Sequence, residues 1–124
     1  MPKSQSHKRP LLIVEDNLMC QQIYLCILNE DYSVDLVATV SEALDYLEKQ
    51  SYHCIILDLG LPDKSGEELL PLIRANPLNN NTPILVISAH VNEEIKQRCV
   101  TSGANQVFTK PIEARLLKEL LAKS

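Results

Sequence analysis

The sequence predicts an α/β fold, a doubly wound sheet of five parallel strands with five helices on its two faces. Three observations predict it. Short apolar runs alternate with stretches of helical period, and the alternation recurs five times. The runs hold four or five residues with little polar alternation, as in strands buried on both faces of a parallel sheet. Finally, 124 residues suit one domain and leave no room for two independent cores.

LLIV (11–14) is the first predicted strand, and 17–29 the first helix. There Cys20, Ile23, Tyr24, Ile27 and Leu28 recur at three and four, a stripe expected to face the sheet. That leaves Leu18, Met19, Leu25 and Cys26 on the opposite side, with Gln21 and Gln22 as polar relief. The second strand is VDLV (34–37), and the helix over 41–50 carries the stripe Ala43, Leu44 and Leu47. Thr39-Val-Ser-Glu42 has the spacing of a capping box, in which a hydroxyl and a carboxylate satisfy free amides. CIIL (54–57) is the third strand, and Ser65-Gly-Glu-Glu68 is a second capping box that opens the third helix. Residues 77–83, with three consecutive Asn between prolines, form a loop before the fourth strand, ILVI (84–87). Gly103 closes a helix over 92–102. A weaker strand, NQVF (105–108), precedes a helix over 112–121 striped by Ile112, Leu116, Leu117, Leu120 and Leu121.

Charge excludes some functions. The net charge is −4, yet residues 1–9 carry +3 from Lys3, Lys8 and Arg9, which leaves −7 on the rest. So acidic a body is a poor match for nucleic acid, and no direct nucleic-acid contact is expected. Residues 1–9 are expected to be a basic tail or linker. No apolar run is long enough to span a bilayer, so no membrane contact is expected. The opening MPKSQSHKRP has no apolar core and does not read as a secretory signal. Cys20, Cys26, Cys54 and Cys99 form no CxxC pair, and the expectation is a reduced, cytoplasmic chain.

In a doubly wound sheet, ligands bind at the carboxyl ends of the strands, beside the point where strand order reverses. Four strand ends carry chemistry: Glu15-Asp16-Asn17, Asp58, Ser88-Ala89-His90 and Thr109-Lys110-Pro111. Taken singly, each is more often a helix cap, a turn residue or a surface charge. Together they bring carboxylates, a hydroxyl and an ammonium to one edge. Crowded carboxylates repel unless a cation relieves them. Magnesium takes oxygen ligands from one or two carboxylates plus phosphate oxygens, which predicts a metal seat at Glu15, Asp16 and Asp58. A carboxylate can itself accept phosphate as an acyl phosphate.

LLIVEDN (11–17), IILDLGLPDKSG (55–66), ILVISAH (84–90) and VFTKPI (107–112) make residues 10–124 resemble a receiver domain of two-component signalling, which has a flavodoxin-like fold. The resemblance implies that Asp58 is the phospho-acceptor for a phosphoryl group from a partner's phosphohistidine. It implies that Glu15 and Asp16 hold magnesium, with the Gly60 backbone carbonyl as a further ligand. Lys110 would contact the phosphoryl group, its bond to Pro111 would be cis, and the Ser88 hydroxyl would move to the phosphoryl oxygen. Pro62 and Gly66 would shape the loop after the acceptor. Many receivers carry an aromatic residue where this chain has Val107. Strand alternation puts Val107 and Phe108 on opposite faces, so Phe108 cannot substitute for it.

The DLGLPDKSG loop, the SAH triplet and Val107 most resemble receivers of hybrid sensor histidine kinases. The implied partners are a histidine kinase or a histidine phosphotransfer domain, docking near Leu18, Met19 and Leu25. A stand-alone regulator is the alternative. A small phosphohydrolase with an Asp nucleophile is disfavoured, because the loop after Asp58 has no acid two residues on to protonate a leaving group.

Overall fold

The computed structural model describes residues 8–123, so most of the basic tail expected over 1–9 lies outside the described residues. The elements are β1 (Arg9–Val14), α1 (Leu18–Leu28), β2 (Tyr32–Val37), α2 (Val40–Leu47), β3 (Cys54–Leu57), α3 (Leu69–Arg74), β4 (Ile84–Ser88), α4 (Glu93–Ser102), β5 (Gln106–Thr109) and α5 (Ala114–Lys123). One short 3-10 turn, Gly66–Glu68, precedes α3. The sheet order is β2-β1-β3-β4-β5, and every pairing is parallel. The predicted fold class is therefore the observed one.

Alternation along each strand sends successive residues to opposite layers. Leu12, Val14, Ile55, Leu57 and Val86 pack with α2, α3 and α4. Leu11, Ile13, Ile56, Leu85 and Ile87 pack with Tyr24 and Leu28 of α1 and Leu117 and Leu121 of α5. Val107 joins the first layer and Phe108 the second, as expected from alternation.

Three sequence expectations need correction. β2 is an edge strand, not one buried on both faces: Val34, Asp35 and Leu36 are only half-buried. On α1, Ile23 is 52% exposed rather than facing the sheet, and Leu25 is half-buried rather than exposed. The buried arc centres on Tyr24, and at 3.6 residues per turn Ile23 and Leu25 each stand about 100° from it, on its two flanks. The third helix also begins later than its capping box suggests. Ser65 caps the 3-10 turn through Glu67 N, and α3 has no side-chain cap.

The other start and stop signals hold. Thr39 Oγ1 accepts from Glu42 N at 3.0 Å, while the Glu42 carboxylate returns to Ala38 N rather than to the cap's own amide. Asn17 and Asn92 cap α1 and α4 with their side-chain oxygens, neither foreseen from the sequence. Gly103 ends α4 at φ +126°, a left-handed conformation that a β-carbon would disfavour and that would also press into the Arg74 side chain.

The loop over 77–83 is pinned by a buried amide. Asn79 Oδ1 accepts from Tyr52 N at 2.8 Å and Thr82 Oγ1 at 3.1 Å, and its Nδ2 donates to the carbonyls of Leu47 and Gln50. All four capacities are used within a fully buried side chain. Truncation would orphan several buried backbone groups, each costing about 1–3 kcal/mol. Asn79→Ala should therefore lower unfolding free energy by about 2–4 kcal/mol in urea titration, on the same scale of orphaned groups. A loss below about 1 kcal/mol would show that water replaces the amide.

Candidate functional site

The β1–β3 ladder positions the site. Val14 pairs with Leu57, and Asp58 N continues the ladder to Val14 O at 3.0 Å. Glu15 and Asp58 thus emerge side by side where strand order reverses. On the other flank β4 and β5 pair Ser88 with Thr109, and Lys110 N reaches Ser88 O at 2.9 Å. The Lys110–Pro111 bond is cis.

All the sequence-predicted side chains meet here. Asp58, itself buried, accepts at Oδ1 from the Ser88 hydroxyl at 2.7 Å and from Gly60 N at 3.3 Å. Its Oδ2 accepts from Lys110 Nζ at 3.0 Å. The same ammonium lies 2.8 Å from Glu15 Oε1 and donates to Cys20 Sγ at 3.6 Å. Glu15 is only 1% exposed, and its Oε2 takes the Asn17 N–H. Asp16 stands exposed at the mouth of a cleft of about 450 Å³, beside Gly60 and His90.

Burial pulls the ionisations one way and the contacts another. Burial pushes the Glu15 carboxyl above its usual range, against the pull of Lys110 and the Asn17 amide. Burial also pushes Asp58 upward, but Ser88, Lys110 and the Gly60 amide outweigh it and hold its carboxyl below the usual value. Burial disfavours the Lys110 ammonium, yet Glu15 and Asp58 hold it more firmly protonated than a free lysine. Asp58 is thus a carboxylate held ionised inside the protein.

The donor set fits a hard divalent cation. Glu15, Asp16 and Asp58 each offer an oxygen, and these lie within 4.8 Å of one another. Glu15 Oε1 is buried and, despite its ion partner, receives no aligned hydrogen bond, which leaves lone pairs for a metal. All-oxygen ligation by carboxylates favours magnesium or calcium over thiophilic metals.

Sequence reasoning missed several contacts. Gln21 turns inward to donate to Glu15 O at 2.6 Å. Asp63 takes the Val40 and Ser41 amides, tying the loop after Asp58 to the start of α2. Glu67, read only as part of a capping box, reaches the cleft. No local pattern announces these partners, since only the fold brings them together.

The comparisons agree with this geometry. The family model described as "Response regulator receiver domain" matches residues 11–122. The chain is 36% identical over 115 residues to the cell cycle response regulator CtrA of Brucella ovis, covering 93% of this chain and 47% of that protein. It therefore spans about half the length of the curated relatives it matches. The receiver domain of sensor histidine kinase PA1611 from Pseudomonas aeruginosa PAO1, crystallised with magnesium in its active-site cleft, superposes with a TM-score of 0.85 at 29% identity, covering 93% of this chain and 95% of that one. A CheY-like receiver domain protein from Methanospirillum hungatei JF-1 gives 0.86 at 27%, covering 93% and 91%. The fold and the site define a two-component signalling module. The chain belongs to the response regulator receiver domain family.

Two glycines follow Asp58 with opposite tolerance. At Gly60 a β-carbon would meet open space, whereas at Gly66 it would run into the backbone carbonyl of Asp58. Gly66→Ala should shift the Asp58 and Leu59 amide resonances and lower magnesium-dependent labelling by acetyl phosphate by as much as about a hundredfold, the scale of a 1 Å misplacement. Gly60→Ala should keep both within about twofold, since a β-carbon there touches nothing. Equal effects would show that the Gly66 contact does not place Asp58.

Proposed function

We propose that this chain receives a phosphoryl group on Asp58 from a partner's phosphohistidine and passes the change of state to a binding partner. The observation that carries the reading is the Asp58 carboxylate, ionised, buried and bracketed by Ser88 and Lys110. One carboxylate oxygen forms the O–P bond as the partner's N–P bond breaks, and the imidazole leaves with the electron pair. Lys110 sits where it can follow the charge onto a phosphoryl oxygen. The Ser88 hydroxyl, now donating to Asp58, can do the same.

Glu15, Asp16, Asp58 and the Gly60 backbone carbonyl would hold magnesium. Bound there, the ion supplies neutralisation of the carboxylates and phosphoryl oxygens. Gly60 offers no side chain to orient water, which favours a long-lived phosphoryl group. Residues 10–124 form the receiver, with 1–9 as a basic tail or linker. The parent is read as a hybrid sensor histidine kinase, supported by the DLGLPDKSG loop and by the likeness to the Pseudomonas receiver. The likeness to CtrA supports the alternative of a separate regulator. A cytoplasmic location accords with four free thiols.

The docking face proposed for the histidine-bearing partner is α1. Leu18 and Met19 are 74% and 72% exposed, beside Asp16 at the cleft mouth. Ile23 extends the strip, in place of the half-buried Leu25, toward a groove of about 110 Å³ shared with Pro111 and Ile112. An apolar strip of this kind on an acidic body marks an interaction surface.

Acetyl phosphate with magnesium should label the wild type, and Asp58→Asn should abolish the label, because an amide cannot form the acyl phosphate. Labelling that survives the substitution would overturn the acceptor assignment. Leu18→Glu should reduce phosphotransfer from a histidine-bearing partner about tenfold or more, in the range of an interface hot spot, while acetyl phosphate labelling stays intact. If both fall together, Leu18 supports the fold. If neither falls, docking lies elsewhere.

A further inference from the structure

A second ion pair stands on the rim of the Asp58 cleft. Glu67, in the 3-10 turn, lines the cleft together with Asp58, Gly60 and Ser65. Arg98 of α4 grips its carboxylate in a fork, Nε to Oε2 at 2.8 Å and Nη2 to Oε1 at 3.0 Å. Arg98 Nη1 also lies 4.0 Å from Glu94 Oε2, one helical turn back. The two-pronged geometry is the strong form of a carboxylate–guanidinium pair. The Arg98 and Glu67 side chains are nevertheless 51% and 26% exposed, so as a mechanical brace the pair contributes little.

Its charge matters more than its strength. The neighbour of Glu67, Gly66, packs against the backbone of Asp58 and donates its N–H to Leu59 O at 2.8 Å. The backbone at Glu67 is therefore held at the rim by the acceptor's own loop. The cleft is then lined by four carboxylates, Glu15, Asp16, Asp58 and Glu67, with Lys110 as its lysine. A phosphoryl group adds about −1.5 to −2 further charges.

We infer that Arg98, acting through Glu67, sets how readily the Asp58 cleft takes an anionic phosphoryl group and how tightly it holds a divalent cation. The inference rests on the phospho-acceptor reading above. Left unpaired, Glu67 repels the phosphoryl donor and attracts the cation. Arg98 without Glu67 does the reverse. The two single substitutions must then act in opposite directions, whereas a brace would make both act in the same one. Arg98 is a positioning residue in this scheme, since it works on the cleft through another side chain.

The test uses the full chain with Arg98→Gln, Glu67→Gln and the double substitution, each checked for an unchanged melting temperature. Two quantities are measured: the initial rate of labelling by acetyl phosphate at saturating magnesium, and magnesium affinity by NMR titration. Arg98→Gln should label more slowly and bind magnesium more tightly, and Glu67→Gln should do the opposite. Each change should be about threefold at low ionic strength and should shrink at high salt, as screened charges require. The double variant should return near wild type. Losses in both single variants would overturn the inference in favour of a brace, and unchanged values in favour of an inert surface pair. If the wild type is not labelled at all, the phospho-acceptor reading fails. The opposite shifts in magnesium affinity then decide the inference alone.

Discussion

One ammonium holds the functional edge of this protein together. Lys110 Nζ lies 2.8 Å from Glu15 and 3.0 Å from Asp58, two buried carboxylates projecting from adjacent strands. Without a cation between them, like charges at such spacing would drive one carboxyl to protonate or the strand ends apart. Together with Ser88 and the Gly60 amide, the ammonium holds the Asp58 carboxyl below its usual value against the upward push of burial. The arrangement also confines the lysine, which donates to the Cys20 sulfur at 3.6 Å as well. A phosphoryl group at Asp58 would redirect this same ammonium, so the interaction that stabilises the resting edge is the one the chemistry would use.

Much of the fold was legible because parallel sheets write themselves as contiguous apolar runs. The fully buried CIIL and ILVI segments appear in the structure as β3 and the body of β4. The errors lie where burial is one-sided. VDLV has nearly the same composition as an inner strand, but β2 has a neighbour on one side only, and the half-buried Asp35 accepts from Tyr52 OH at 2.7 Å. Sheet order, not composition, decides such a strand. On α1, periodicity located the stripe but not its width. Gln21 turns in to reach a backbone carbonyl and Ile23 turns out, a competition that hydrophobic spacing does not register.

The site was legible to a different depth. Residues at strand ends are placed by the sheet itself, so Glu15, Asp58, Ser88 and Lys110 could be named once strand–helix alternation was seen. Partners supplied by loops could not. Arg98 meets Glu67 across 31 positions, and Asp63 meets Val40 across 23. Both pairings reach the segment after Asp58, and both use charged residues that read as ordinary surface. Local sequence fixes what a residue can donate or accept, and only tertiary placement fixes to whom.

The same reasoning constrains how a change at Asp58 could spread. Val107 is buried in the layer that holds α4, and Phe108 is half-buried in the layer of α1 and α5. A valine, stiff at χ1, lacks the length to swing between an inward and an outward pose. Ser88 differs: its hydroxyl contacts Asp58 directly, and the residues that follow it, Ala89 and His90, are exposed. Under the proposed reading, a phosphoryl group that draws the Ser88 hydroxyl must pull on a segment with little packing to resist it. That segment leads straight into α4, whose Arg98 pairs with Glu67 in the segment after Asp58. Under that reading, a change at Asp58 would spread through β4 and α4.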